Sequence, residues 1–416
     1  MLKQSIFFIF LQLLNLFVGL FTSLYIAVNV EPEIYSLLVI YIIVNGLYMT
    51  FTAVGYETIL IRNALNWQKN KLTKLKSFIT YAIVTRVFLS ILLTMPVVVY
   101  LFYISENKLN SNRLEILLLF VISGSFSSLN NSIGLILKSF NRYISSFCVI
   151  VLGSLITKLI AFAAFSSMGF ISFIMVMVLS PMVIFIFSYG LISKHIDYSM
   201  YRARYFWKFK RYMPFGLLGY AKYFVGQSDR FIVSLLLTTE LLASYSLAKQ
   251  VQEVGKAFIE GFFDPLCQKA IAYKTQRDKF FSHINKVKKI NYVMILLGFV
   301  ICSLIILYIE NVVTAYGFDK YQYLDTFVIF AAFSSLFYLC YKVEGTLVSL
   351  FESPNQLLKI DMFTWALSMS TLYAVHILHA DYWLFSSRVL VELILLNVFF
   401  IVWNKKKSQY IGQCSL

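Results

Sequence analysis

The chain has 416 residues, of which 59% are hydrophobic and only 13% are charged, and its mean hydropathy is +0.75. Apolar runs of about twenty residues recur along the whole chain, each long enough to cross a bilayer, and this excludes a water-soluble globular protein. The formal net charge of +16 could indicate an anionic partner such as a nucleic acid. The positions of the basic residues along the chain decide whether it does.

The apolar runs, taken in chain order, predict an all-α polytopic membrane protein with about twelve transmembrane helices. The first run has only Lys3 before it and no small-residue cleavage site after it, so we expect it to be retained and not removed as a signal peptide. The predicted spans are 5–29, 35–56, 78–104, 115–138, 144–166, 170–193, 214–237, 240–266, 290–309, 325–350, 358–378 and 383–403.

The basic residues are concentrated on one side of the predicted membrane. Of the 36 Lys and Arg, 25 fall in loops on the side of the N-terminus, and the opposite loops hold only Lys108, Arg113 and Lys320. The positive-inside rule therefore places both termini in the cytoplasm. The basic excess is a topology signal, and no nucleic-acid partner is expected.

Two short patterns resemble metal or catalytic motifs but have simpler explanations. The acidic pair in Glu31 to Glu33 imitates a metal-binding motif of membrane glycosyltransferases, yet a turn with proline between two spans explains it, and we favour the turn. His376 and His379 have a spacing that suits a metal, but only Asp381 is near them in sequence, so interfacial packing is favoured. No metal site and no cofactor is predicted.

An internal repeat divides the chain into halves. Tyr35 to Leu37 and Tyr245 to Leu247 have the same sequence, lie 210 positions apart, and each opens a span entered from the outer face. Six spans return the chain to its starting side, so the match predicts two six-helix lobes, 1–211 and 212–416, related by an axis along the membrane normal.

Four segments resemble a known family: Val30 to Ser36, Gly55 to Arg62, Ser228 to Val233 and Ala243 to Ala248. They are similar to the polysaccharide-export branch of the multidrug/oligosaccharidyl-lipid/polysaccharide (MOP) transporter superfamily, and most similar to its Wzx-type O-antigen flippases. The resemblance runs over essentially the whole chain. Two positions depart from the family pattern, because Ile34 and Ser244 stand where glycine is common.

The resemblance implies a transporter and not an enzyme, with two six-helix lobes around a central cavity. Its expected substrate is an undecaprenyl-diphosphate-linked oligosaccharide, an O-antigen or similar repeat unit of lipopolysaccharide. Alternating access would move it from the cytoplasmic to the periplasmic leaflet of the bacterial inner membrane. Expected partners are this lipid-linked oligosaccharide, membrane lipids, a polysaccharide polymerase and a chain-length regulator.

Two alternatives stay open beside the flippase. A cation-coupled drug exporter of the same superfamily is expected to have an acid-dominated cavity. A membrane polysaccharide polymerase or glycosyltransferase needs catalytic residues on a large external loop, and no loop between predicted spans exceeds about twenty residues, which leaves no room for a soluble catalytic domain.

Charges inside the spans test the flippase interpretation, because a charge at mid-membrane costs about 2.5–3.5 kcal/mol on insertion scales and needs a cavity or a partner. The chain places three more cations than acids there. Such a net-cationic interior fits an anionic ligand such as a diphosphate. The cations are Arg86, Lys158, Lys222, Arg230, Lys249, Lys256, Lys342 and Arg388; the acids are Asp229, Glu253, Glu260, Glu344 and Glu392.

The predicted binding site centres on the eighth span, where successive charges are four, three and four residues apart and so share one helical stripe. We expect the diphosphate to be held by a set of six cations: Lys249, Lys256, Lys222, Arg230, Arg86 and Lys158. Coupling or state-dependent ion pairs are assigned to three acids, Asp229, Glu253 and Glu260, with a proton or a sodium gradient left open as the driving force.

Depth in the membrane predicts specific pairs. Asp229 and Lys249 lie at nearly equal depth in neighbouring antiparallel spans, and so do Lys222 and Glu253. These pairs also admit a purely structural interpretation as interhelical salt bridges.

Two further pairs lie near the end of the chain. Arg388 and Glu392, four apart, are expected to pair with each other. Lys342 and Glu344, two apart, should point to opposite faces of their helix and so cannot serve one site together.

Overall fold

The computed structural model describes residues 2–53, 71–108, 114–140, 142–193, 196, 209–272 and 276–413. Throughout these ranges the chain is helical apart from short turns, and they contain no β-strand. The predicted all-α class is confirmed. The segment from Gly55 to Arg62 lies outside the described residues.

The described ranges contain twelve long helices, one for each predicted span. A single 3₁₀ turn, Asp381–Trp383, precedes the last of them. Their bounds are α1 Leu2–Asn29, α2 Pro32–Phe51, α3 Leu72–Lys108, α4 Leu114–Ser139, α5 Tyr143–Phe147 continued by a π-helical turn Cys148–Leu152 into Gly153–Met168, α6 Phe170–Ile192, α7 Phe209–Leu236, α8 Thr239–Ala272, α9 Arg277–Ala315, α10 Leu324–Phe351, α11 Pro354–Ile377 and α12 Ser386–Gln413.

Length and composition alone identify nine of these described helices as able to cross a membrane. The other three are α7, α8 and α11, whose apolar stretches are interrupted by charged or polar residues. The chain is therefore a multi-pass membrane protein. Helices this polar need protein or water against part of their surface, because lipid cannot satisfy charged side chains.

The turn between α1 and α2 has the structure that its proline predicts. Pro32 is the first residue of α2, and Glu31 precedes it in an extended conformation (φ −68°, ψ 150°). Proline suits this position because its missing N–H would have no partner in the first helical turn. The turn interpretation of Glu31 to Glu33 is confirmed. Ile34 and Ser244 are helical, and neither has the positive φ that would favour glycine.

Packing divides the chain into two compact units, Met1–Ala243 and Ser244–Leu416. They are named here the N-terminal unit and the C-terminal unit. The lobe boundary predicted after residue 211 stays a prediction.

In the N-terminal unit, α4 packs against α2, α3 and α6, while α5 packs against α1 and α6. Close approach of α2 and α4 depends on Gly124, where a Cβ would lie 2.5 Å from a ring carbon of Tyr48. Small residues allow membrane helices to approach closely in this way. The apolar core at one end of the unit joins residues of α3, α4, α5 and α6, among them Phe78, Ile136, Val149 and Ile192.

In the C-terminal unit, α10 packs against α9 and α12, and α11 packs against α12. One apolar cluster of this unit draws on α8, α9, α10 and α12, with Phe263, Phe280, Val343 and Trp403 among its members. The helix pairs α9–α10, α10–α12 and α11–α12 repeat the pairs α3–α4, α4–α6 and α5–α6 of the N-terminal unit. This is the pattern that an internal repeat of six helices predicts.

The repeated tripeptide occupies equivalent places in the two halves. Tyr35 lies in the first turn of α2 and Tyr245 in the second turn of α8, and both are fully buried. The Tyr35 hydroxyl lies 2.5 Å from Ser23 Oγ. The Tyr245 ring packs against the rings of Phe327 and Phe385. The tripeptide thus opens a helix and fills the core of its own unit in both cases.

Candidate functional site

A partly open cavity of about 170 Å³ lies within the N-terminal unit, at the middle of helices α2, α4, α5 and α6. The π-helical turn of α5 contributes Val149 to its wall. π-helical turns occur often at functional sites, because one extra residue redirects the side chains that follow. The full lining is Tyr41, Met49, Ser127, Asn130, Asn131, Val149, Ile150, Ser154, Thr157, Lys158, Met177, Pro181 and Ile184.

Lys158 gives this cavity its charge, and α1 holds the ammonium group in place. The Lys158 Nζ donates to the backbone oxygen and to Oδ1 of Asn15, at 2.9 Å in each case. One turn further along α1, Gly19 leaves room for the lysine, since a Cβ there would lie 2.8 Å from Nζ. Two of the three ammonium hydrogens are therefore used by neutral oxygens, and no acid neutralises Lys158 among the residues that line the cavity.

A proline shapes the opposite wall. Pro181 has no N–H, so the carbonyl of Met177, four residues earlier in α6, loses its helical donor. The Tyr41 hydroxyl donates to this carbonyl at 2.8 Å. Asn130 in turn donates through Nδ2 to the carbonyl of Pro181 at 2.7 Å. The carbonyl released in α6 thus receives a donor from α2, and the Asn130 bond adds a contact from α4, so that three cavity-lining helices are joined.

Arg86, one of the predicted binding cations, lies beside the end of α2 and not among the residues that line this cavity. It is 1% exposed, and its guanidinium donates to Thr52 Oγ1 and to the carbonyl of Met49, both at 3.0 Å. A cation at a helix C-terminus interacts favourably with the carbonyls left without helical donors there. Arg86 therefore ties α3 to the last turn of α2.

The C-terminal unit contains a network of charged groups joining α8, α10 and α12. Lys256 of α8 forms an ion pair with Glu392 of α12, and the Tyr341 hydroxyl of α10 donates to the other oxygen of Glu392 at 2.5 Å. Glu392 and Tyr341 are buried, while the Lys256 side chain is 23% exposed. The carboxylate of Glu392 thus connects three helices.

Lys342 extends the same network. Its Nζ lies 2.8 Å from Asp264 and 4.0 Å from Glu260, and it donates to the Tyr338 hydroxyl at 3.2 Å. The Tyr338 hydroxyl donates to Glu260 at 2.5 Å. The Tyr338 ring also lies beneath both Lys342 and Lys256, 5.4 and 5.1 Å from their Nζ atoms, within the range of cation–π attraction.

Lys342 and Glu344 point to different partners, as their spacing predicts. Glu344 pairs with Lys288 of α9 at 2.5 Å, whereas Lys342 faces α8. The expected partner of Glu392 within its own helix was Arg388, but the two oxygens of Glu392 contact Lys256 and Tyr341. Glu392 thus has partners on two other helices, and its pairing with Arg388 stays a prediction.

The remaining predicted residues lie in α7 and α8. Asp229, Arg230 and Lys249 are buried, and Arg230 Nη1 donates to Gln227 Oε1 at 2.8 Å. Glu253 is partly buried, and the Glu260 side chain is 50% exposed. The side chain of Lys222 lies outside the described residues. The pairs Asp229–Lys249 and Lys222–Glu253, and the diphosphate-binding role of the set, stay predictions.

Two kinds of residue at these sites were not predicted from the sequence: an acid of α8 and asparagines near the cavity. Asp264 follows Glu260 by four residues and so continues the charged stripe of α8, a signal that was present in the spacing. Asn15 and Asn131 are uncharged, and neither hydropathy nor charge counting distinguishes them from ordinary polar residues of a span.

A comparison with family models decides which group the chain is part of. A model described as "Polysaccharide biosynthesis protein" matches residues 30–280, which is more than half of the chain. The chain belongs to this polysaccharide biosynthesis family. The resemblance found in the sequence is thereby confirmed at the level of the family. No curated protein matches the chain.

Solved structures show which fold this polysaccharide biosynthesis protein has. An inward-facing multidrug resistance MATE family transporter of the MOP superfamily is similar at a TM-score of 0.73 and 14% identity, with 96% of each chain covered. An outward-facing MATE transporter of the same superfamily matches at 0.62 and 14%, covering 97% of this chain and 96% of the other. A point mutant of the Vibrio cholerae MATE transporter VcmN matches at 0.60 and 11%, with 98% of each covered. The polysaccharide biosynthesis protein has the two-lobe helical fold of a MOP-superfamily transporter.

Proposed function

We propose that this protein is a flippase that moves an undecaprenyl-diphosphate-linked oligosaccharide, such as an O-antigen repeat unit, from the cytoplasmic to the periplasmic leaflet by alternating access. The observation that carries the proposal is the cavity of the N-terminal unit, whose lining contains Lys158, two asparagines and several hydroxyls but no acid. Such a lining suits an anionic, hydroxyl-rich ligand and repels a cationic drug. The match to a family described as polysaccharide biosynthesis proteins also supports a substrate that contains a saccharide.

The proposed flippase also has an expected location, energy source and partners. A bacterial inner membrane with both termini in the cytoplasm fits the distribution of basic residues. A proton or sodium gradient would drive the cycle, and a polymerase with its chain-length regulator would use the delivered unit. Lys249, Lys256, Lys222 and Arg230 remain the proposed diphosphate ligands. Lys256 would then exchange Glu392 for the diphosphate during transport.

A second candidate function is a cation-coupled drug exporter. The charged network of the C-terminal unit favours it, because three carboxylates (Glu260, Asp264 and Glu392) face two lysines (Lys256 and Lys342) there. An excess of acid is what a cationic substrate or a coupling cation requires. The two candidates therefore differ in the sign of the charge that the transported molecule must have.

The test is the leaflet location of lipid-linked saccharide in cells that lack the protein. The flippase predicts that single repeat units accumulate on the cytoplasmic leaflet and that wild-type protein clears them. Lys158→Glu, which reverses the sign of the cavity, should clear them at least about tenfold more slowly, whereas Lys279→Glu on the exposed start of α9 should act as wild type. If units reach the outer face without the protein and stay unpolymerised, it is no flippase. Increased sensitivity to cationic drugs in cells that flip normally would instead support the exporter.

A further inference from the structure

The cavity around Lys158 has the size of one ring and not of a whole substrate. Its volume is about 170 Å³. A cavity of roughly 150 Å³ accommodates a benzene ring, while drug-sized ligands occupy pockets of about 300–1,000 Å³. A diphosphate with its attached saccharide exceeds this volume, whereas a single six-membered sugar ring matches it.

The polar groups of the lining suit a sugar better than a diphosphate. Of the Lys158 ammonium hydrogens, Asn15 uses two, which leaves one for a ligand. A diphosphate offers several charged oxygens and is normally held by more than one cation or by a series of backbone N–H groups. Lys158 is the only cation among the lining residues of this cavity.

Around Lys158 the lining alternates hydroxyl or amide groups with apolar surfaces. Ser127 and Asn131 lie one turn apart on α4, and Thr157 lies beside Lys158 on α5. Met49 and Met177 provide apolar walls. A sugar ring has the same alternation, because hydroxyls project from its edge and C–H groups cover its faces.

The charge of Lys158 bears on which kind of sugar would suit this cavity. Within the described lining its ammonium meets only the neutral oxygens of Asn15 and no carboxylate. A charge at this depth is costly unless it is paired. A ligand with one carboxylate would supply the missing counter-charge through the third ammonium hydrogen, and a charge-assisted bond of this kind is stronger than a neutral one.

We infer that this cavity binds one sugar residue bearing a carboxylate, a hexuronate or a sugar of similar chemistry, with Lys158 holding the carboxylate. The inference rests on the proposed function, because it assigns the cavity to the saccharide of the lipid-linked substrate and leaves the diphosphate to another site. It also assigns Lys158 a role different from that of the other predicted cations.

Equilibrium dialysis of the purified full-length protein in nanodiscs, with radiolabelled glucuronate and glucose, tests this inference. Wild type should bind glucuronate saturably and about tenfold or more tightly than glucose. Lys158→Gln should abolish that preference while glucose binding changes little, and Lys158→Arg should keep it. Asn131→Leu should weaken both sugars. Lys279→Gln, an exposed lysine of α9, is the matched control and should bind as wild type.

Several outcomes would overturn the inference. Equal affinity for the two sugars, or a glucuronate preference that survives Lys158→Gln, removes the role of Lys158. Displacement of glucuronate by inorganic pyrophosphate at lower concentration than by unlabelled glucuronate makes the cavity a diphosphate site. Absence of sugar binding in wild type rejects the sugar site even if the leaflet assay shows flipping, so the failure of the inference is distinguishable from that of the proposed function.

Discussion

At the scale of single residues, the described ion pairs inside the spans join different helices, and so do the hydrogen bonds of the Lys158 ammonium group. Lys256 reaches from α8 to Glu392 of α12, Lys342 from α10 to Asp264 of α8, and Lys158 from α5 to Asn15 of α1. A charge in a bilayer needs a partner, and a neighbouring helix is where a partner of the right depth is available. The same side chains that suggest ligand binding therefore also hold helices together.

The Lys256–Glu392 pair leads to a prediction about stability. Glu392→Gln leaves the lysine without a counter-charge, and we expect a loss of about 2 kcal/mol in the free energy of unfolding, moderated by the partial exposure of Lys256. Lys256→Met should cost a similar amount because Glu392 is buried. The double variant should cost about 1–2 kcal/mol less than the sum of the two, since neither charge then lacks its partner.

Denaturant unfolding of the four proteins in detergent measures this cycle. Lys286→Met, which removes an exposed lysine on α9, should leave stability unchanged and serves as the control. Additivity within about 0.5 kcal/mol would mean that the two side chains do not interact.

Side-chain directions along one helix could be predicted from the sequence, but partners on neighbouring helices could not. Spacing on one helix is readable, so the divergence of Lys342 and Glu344 was predicted correctly. Partners across helices depend on how each helix is rotated about its axis, which periodicity alone does not give when most faces are apolar. This is why Lys256 was not predicted as a partner of Glu392, and Asn15 was not predicted as a partner of Lys158.

At the scale of elements, the proline of α6 is the feature that organises the N-terminal cavity. Helix–helix packing in a membrane must satisfy every backbone group that a proline releases. Here the released carbonyl of Met177 receives the Tyr41 hydroxyl from α2. The polar wall of the cavity is thus partly a consequence of repairing α6.

We therefore expect Tyr41→Phe to lower the free energy of unfolding by about 1–2 kcal/mol, because it leaves the carbonyl of Met177 without a donor. In a Pro181→Ala protein the alanine N–H can donate to the Met177 carbonyl instead. Adding Tyr41→Phe to that protein should therefore lower the free energy of unfolding by clearly less. Thermal unfolding of the four proteins in nanodiscs measures the difference.

Tyr48→Phe is the control for this cycle. Tyr48 also lies on α2 and its hydroxyl contacts Thr94 Oγ1 at 3.0 Å, away from Pro181, so its cost should be equal in both backgrounds. An equal cost of Tyr41→Phe with and without Pro181 would show that the tyrosine does not compensate for the proline.

The elements themselves were largely predictable. Each span of about twenty apolar residues became a helix, because in a bilayer a helix satisfies its own backbone. The helices extend beyond the predicted spans where polar residues continue at their ends, as in α9, which begins at Arg277 instead of 290. The π-helical turn of α5 was not foreseen, since no residue type in Cys148–Leu152 requires it.

At the scale of the whole molecule, the sequence of the chain contains two copies of one helical pattern with different chemistry. The N-terminal unit has a small cavity with one lysine and no acid in its lining, and the C-terminal unit has a network of acids and lysines paired with each other. Counting charges over all spans predicted a cationic interior, but it did not reveal this division, because a count ignores which charges neutralise one another.

The central claim, transport of a lipid-linked oligosaccharide, is tested most directly with purified protein in liposomes. A fluorescent undecaprenyl-diphosphate-linked saccharide is placed in both leaflets, and an impermeant quencher added outside reports how fast the inner pool reaches the outer leaflet. We predict that wild-type protein exposes most of the inner pool, that Lys158→Glu does so far more slowly, and that a cationic dye is not moved. Quenching that stops at the outer pool, as in protein-free liposomes, together with transport of the dye, would contradict the account.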